Sequence, residues 1–146
     1  MDRVALPRGL RTFNRVVKAL LGTGFRLGDI HVLTVPGRTS GQPRSTPVTP
    51  YEVDGERYVL GGIPGADWVR NVRAAGAGTL AQGRRKKRVR LIEVPEPEQG
   101  PILRAFPEKV PNGVDMMVKA GVVPSGSPDE FEALAGRCTV FQVVDA

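Results

Sequence analysis

Residues 31–60 read HVLTVPGRTSGQPRSTPVTPYEVDGERYVL, and this stretch decides the fold class. His31 to Val35 is apolar and β-branched, the composition of a strand, and Pro36-Gly37 ends it. A polar loop runs from Arg38 to Pro43. Ser45 to Val53 is a second extended segment, made irregular by its prolines. Asp54-Gly55 between Tyr51-Glu52-Val53 and Arg57-Tyr58-Val59-Leu60 is a two-residue hairpin turn, because both turn positions tolerate positive φ.

Working outward, Gly61 to Gly65 is a bend. Asp67 is the expected N-cap of a short helix from Trp68 to Ala75, stopped by Gly76 and Gly78. Thr79 to Gln82 and Val89 to Val94 form a second hairpin around Gly83. The Pro-rich stretch from Val94 to Pro101 reads as a connection into a helical segment, Ile102 to Phe106. Pro124 to Pro128 is a loop, Asp129 to Leu134 a short helix, and Thr139 to Val144 a closing strand. On the N-terminal side, Leu10, Phe13, Val17, Leu20 and Leu21 recur at helical spacing opposite Arg11, Arg15 and Lys18, which predicts an amphipathic helix over about 8–22. Packing on a barrel is one use for that helix; contact with an anionic membrane or cover for a pocket is the other. Strands joined by tight hairpins, with few helices, make an antiparallel barrel rather than a doubly wound fold.

At 146 residues the chain is one domain, 1–146, with a single core. One cysteine, Cys138, and one histidine, His31, exclude an internal disulfide and any metal site built from those ligands. Cys138 lies in an apolar run and reads as a small buried hydrophobe, and His31 as structural. No run approaches the roughly 20 apolar residues of a membrane span; the lone cysteine fits a reducing cytoplasm, with membrane association through the N-terminal helix as the alternative. The net charge of +6 favours anionic ligands or surfaces without choosing among them. Its densest source is Arg84-Arg85-Lys86-Lys87-Arg88 with Arg90. That run reads as a charged strand edge resisting unwanted pairing, or as a field drawing in an anionic coenzyme. Aromatic residues for base stacking are missing nearby, so no nucleic acid partner is expected.

Chemistry concentrates in Gly37-Arg38-Thr39-Ser40-Gly41-Gln42-Pro43-Arg44. Two guanidinium groups and two hydroxyls in a glycine-bearing loop suit a phosphate, although an ordinary polar hairpin loop has the same composition. From Val32 to Asn71 the order of pieces resembles the deazaflavin-dependent nitroreductase family. Those pieces are Val32-Leu33-Thr34-Val35, the loop, the Pro47 strand, the Asp54-Gly55 turn, Tyr58-Val59-Leu60, and Trp68 with Asn71.

The resemblance implies a split β-barrel of about six antiparallel strands with flanking helices, holding the deazaflavin coenzyme F420. It implies that Arg38, Ser40, Gly41, Gln42 and Arg44 grip the coenzyme tail, with Thr39 among them offering a hydroxyl. Thr46 and Pro47 would lie beside the ring, the backbone of Gly61, Gly62 and Ile63 along its other edge, and Trp68 and Asn71 would brace the site. A hydride would pass from the reduced ring to an electron-poor small molecule, a quinone, nitro compound or activated alkene, without a catalytic nucleophile or base. FMN on the same fold, or a lipid or coenzyme carrier, are the alternatives, and a monomer or weak homodimer is implied. Thr39 stands where many relatives carry Lys, and Ile63 to Asp67 replaces a longer Lys-bearing segment. The tyrosine-rich C-terminal segment of the best-known branch is absent. In its place Val114 to Val123, with Met116 and Met117, serves either as core or as the wall of an apolar pocket.

Overall fold

A computed structural model describes residues 30–146; the helix expected over 8–22 lies outside the described residues. Seven strands and four helices follow in the order β1 (His31–Pro36), β2 (Pro43–Val48), β3 (Tyr51–Val53), β4 (Glu56–Gly61), α1 (Asp67–Ala75), β5 (Ala77–Gln82), β6 (Arg85–Glu93), α2 (Glu96–Lys109), α3 (Pro111–Lys119), α4 (Pro128–Glu132) and β7 (Thr139–Asp145). The strands form one sheet in the order β2-β1-β5-β6-β7-β4-β3, and every pairing is antiparallel. The expectation of about six becomes seven because the second extended segment breaks at Thr49-Pro50 into β2 and β3.

That break also explains the curl. β2 and β3 occupy opposite edges of the sheet, yet three Cα steps from Val48 to Tyr51 span at most about 11 Å. A flat sheet of this size would hold its edges about 29 Å apart. The sheet must therefore roll up until its edges nearly meet, which makes a split barrel.

Strand alternation sorts side chains into two cores. Leu33, Val35, Val48, Val59, Leu80, Val89, Leu91, Phe141 and Val143 fill the barrel, and Val69 and Val72 of α1 plug it. Val140 points the other way, into a second cluster formed with Leu103, Phe106, Met117, Phe131 and Leu134 of the helical half. β7 is thus apolar on both faces, which is why Thr139 to Val144 lacks a clean alternation. Tyr51 ties edge strand β3 to the helices: its hydroxyl donates to the Ile102 carbonyl at 2.9 Å, and its ring meets Phe106 edge-on at 5.4 Å.

Three expectations change. Helix α2 begins at Glu96, inside the stretch expected to be a connection. Prolines near a helix start lose only an N–H with no partner to find, and Gln99 secures this end by donating to the Val94 carbonyl at 3.0 Å. Asp67 does not cap α1; Ala66 occupies that position without a side-chain cap bond, and Asp67 is the first helical residue. The basic run falls at the β5–β6 turn and the start of β6, as expected, but β6 is the middle strand of the sheet and not an edge strand. Only Arg85 to Lys87 extend past β7 and pair with β5 alone. Four short expectations hold: the Asp54-Gly55 turn has φ of 52° and 82°, Gly76 ends α1 at φ 69°, β7 closes the sheet, and Cys138 is buried. No helix among the described residues is long and apolar enough to cross a membrane.

Candidate functional site

The loop between β1 and β2 is held in shape by its own atoms. The Gly37 N–H donates to the Gln42 carbonyl at 2.8 Å, and the Gly41 N–H to the Gly37 carbonyl at 2.9 Å. Gln42 N–H donates to the Ser40 hydroxyl at 3.1 Å. Gly41 takes φ 74°, a conformation that glycine adopts without steric cost. At Gly37 an added Cβ would stand 3.2 Å from Arg44 Nε and 3.3 Å from Ser40 Oγ, so the bare backbone lets the Arg44 side chain lie across the loop.

Helix α1 anchors this loop from outside. Asn71 is buried, and its Oδ1 accepts from the Arg38 backbone N–H at 3.1 Å and from Arg38 Nη1 at 2.7 Å. One turn earlier, Asp67 Oδ1 receives Arg38 Nη2 at 3.2 Å. The i, i+4 spacing of Asp67 and Asn71 puts both on the same side of α1, facing the loop. Arg38 is therefore committed largely to α1. Arg44 has no ion pair among the described residues, and the N–H groups of Thr39 and Ser40 have no partner there either.

Two cavities open on this framework. The polar one, about 410 Å³, is walled by Arg38, Thr39, Ser40 and Arg44 of the loop, Ser45 and Thr46 of β2, and Asp67, Trp68 and Asn71 of α1. The apolar one, about 340 Å³, is walled by Thr46, Pro47 and Val48 of β2, by Gly62 and Ile63 after β4, and by Phe106, Val110, Asn112 and Met116 of the helical half. Thr46 and Trp68 belong to both. The two cavities are thus neighbours that share part of their wall.

The residues singled out in the sequence divide by position. Arg38, Thr39, Ser40, Arg44 and Asn71 line the polar cavity; Pro47, Gly62 and Ile63 line the apolar one; Thr46 and Trp68 line both. Gly41 and Gln42 line neither and serve the turn. Gly61 also lines neither: an added Cβ would fall 2.6 Å from Val69 Cγ2, so the packing of α1 on the barrel requires it. Both readings of Val114 to Val123 apply, since Met117 and Val123 are core while Met116 is half exposed at the cavity rim. Cys138 is buried, which pushes its thiol up, and its thiol donates to the Gly62 carbonyl at 3.9 Å.

Asp67, Phe106, Val110 and Asn112 were not among the candidates from sequence. For Asp67 a signal existed, its spacing of four from Asn71. For the other three there was none, because α2 and α3 reach the cavity only through the tertiary fold.

The chemistry of the donor set fits a ligand with an anionic tail and a flat apolar head. Arg44, the Thr39 and Ser40 hydroxyls and two backbone N–H groups would meet the tail, and the Pro47, Ile63 and Trp68 surfaces the head.

The sequence profile of the F420H(2)-dependent quinone reductases matches residues 7–120. The chain belongs to that family. Among solved structures this family member is similar to a domain-swapped dimer, with 20% identity over 92% of the chain and 98% of the other and a TM-score of 0.54. It is similar as well to PhzG from Burkholderia lata 383, solved in complex with tetrahydrophenazine-1-carboxylic acid, with 12% identity over 99% of the chain and 78% of the other and a TM-score of 0.51. A structure described as an F420-H2 dependent reductase, FDR-A, matches with 23% identity over 80% of the chain and 94% of the other, at a TM-score of 0.44. Among curated proteins none matches.

Proposed function

We propose that this quinone reductase family member binds F420 across the two neighbouring cavities and passes a hydride from its reduced ring to an electron-poor acceptor, a quinone, nitro compound or activated alkene. The observation that carries this reading is the shared wall of the two cavities. A polar cavity, whose Arg44 has no ion pair among the described residues, lies beside an apolar one, and Thr46 and Trp68 line both, an arrangement that suits a coenzyme whose charged tail and flat ring are covalently joined.

In this reading Arg44 forks onto the tail phosphate while Thr39 and Ser40 donate from the loop. Arg38 acts mainly on the loop, which it fastens to Asn71 and Asp67. Trp68 and Pro47 flank the ring, and Ile63 and Met116 at the rim shed water from the space beside it, where the acceptor enters. Low water content there favours transfer to an apolar acceptor and suppresses side reactions. The coenzyme when bound supplies the hydride; the chain supplies position and exclusion of water.

The test is titration of the protein with F420, followed by coenzyme fluorescence, for the native chain and for Arg44→Ala. Loss of a hydrogen bond to a charged group weakens binding by about tenfold or more. No F420 binding by the native chain would sink the reading. Equal binding by both proteins would move the tail away from the loop.

A further inference from the structure

We infer that Asp67 sets the charge preference of the polar cavity, favouring a singly charged phosphodiester over a doubly charged phosphomonoester. The inference rests on the coenzyme reading above and asks which phosphate the cavity accepts.

Three charged side chains line the polar cavity among the described residues: Arg38, Arg44 and Asp67. They leave it one net positive charge. Nor are the two cations equivalent. Arg38 spends Nη2 on the Asp67 carboxylate at 3.2 Å and Nη1 on Asn71 at 2.7 Å and on the Asp67 carbonyl at 3.4 Å. Among the described residues, a phosphate in this cavity therefore meets one cation without an ion pair, Arg44, neutral donors from Thr39 and Ser40, and the Asp67 carboxylate. A phosphodiester brings one negative charge and matches Arg44. A phosphomonoester is close to doubly charged at neutral pH, and its second charge finds no further cation among the described residues and meets Asp67 instead.

Asp67 is largely exposed, at 65% of its side chain, so a water-like dielectric applies. Two like charges about 5 Å apart in that medium change affinity by roughly fourfold. The penalty is counted once for a phosphodiester and twice for a phosphomonoester. Salt weakens it, since the Debye length at 0.15 M is about 8 Å. At the phosphate itself, this separates the diester of F420 from the monoester of FMN.

The experiment uses ligands that differ by one phosphate charge and a methyl group: FMN and the methyl ester of its phosphate, with riboflavin as the phosphate-free control and F420 run in parallel. Each is titrated by fluorescence into the native chain, Asp67→Asn and Asp67→Glu. In Asp67→Asn the affinity for FMN should rise about fourfold more than that for its methyl ester, and riboflavin should not respond. The gain should shrink at high salt, and Asp67→Glu should behave as the native chain. Equal gains for FMN and its ester, or losses for both because Arg38 has come loose, would overturn the inference. The coenzyme reading stands or falls separately, on whether F420 binds the native chain.

Discussion

Asn71 offers the sharpest test of how the loop is held. Its Oδ1 receives two donors from Arg38, the backbone N–H and the guanidinium, and the side chain is only 6% exposed. Asn71→Ala removes one neutral and one charge-assisted bond and leaves a partly buried N–H with no acceptor. A neutral bond contributes about 1 kcal/mol and one to a charged group about 1.5–3 kcal/mol. Because Arg38 is about a third exposed, water recovers part of the second term. The expected loss is about 2 kcal/mol, or about 4–8 °C in Tm for a chain of this length. Asn71→Asp keeps an acceptor in the same place and should stay near the native stability while weakening F420, since the cavity then holds a second carboxylate. Urea denaturation of the three proteins, with F420 titration alongside, measures both effects. If Asn71→Ala lies within about 0.5 kcal/mol of the native chain, the scatter of an ordinary surface change, or if Asn71→Asp is as unstable as the alanine variant, the proposed anchoring is wrong.

Two further outcomes follow from local geometry. Gly61→Ala should cost about 1–3 kcal/mol by overpacking, because its Cβ would sit 2.6 Å from Val69 Cγ2; adding Val69→Ala in the same chain should recover part of that loss in urea denaturation. Glu130 accepts from the Ser125 hydroxyl at 2.7 Å and from the Ser125 and Gly126 N–H groups at 2.9 and 2.7 Å. These bonds hold its carboxyl at about 2, below the ordinary 4.5. A depressed carboxylate contributes stability above its unfolded value that is lost as pH falls through the folded one. Glu130→Gln should therefore be less stable than the native chain at pH 6, with the gap closing near pH 2; a gap independent of pH would exclude the carboxylate as its source.

The fold was legible where local chemistry agrees with tertiary placement. Asp54-Gly55 could only be a tight turn, and the β-branched runs at residues 31–35 and 139–144 had no competing periodicity. Where sequence and structure part, a local rule had met a stronger distant one. The prolines near Val94 signal a break, yet α2 forms because Ile102, Leu103 and Phe106 are buried at helical spacing. The cations of residues 84–88 suggest an edge, but the apolar Val89 and Leu91 on the same strand draw β6 into the middle of the sheet. At the site, the loop residues stood out because they are contiguous. Asp67 read as a helix cap since its partner, Arg38, lies 29 residues away, and no local pattern distinguishes a capping carboxylate from one that crosses a cavity.

The sheet order also says something about how the chain can fold. Hairpins β1–β2, β3–β4 and β5–β6 pair residues close in sequence and can form early. Closure of the barrel waits for β7, which pairs with β4 through registers such as Tyr58 with Gln142. Joining residues so distant costs more loop entropy than closing a hairpin, by about 1–2 kcal/mol, before Phe141 and Val143 bury anything in return. The last strand is thus the latch of the barrel, and topologies dominated by such long-range pairing fold in milliseconds to seconds rather than microseconds. The site inherits that order: the loop and β2 can be in place early, but Gly62, which directly follows β4, is fixed only once β4 has found β7.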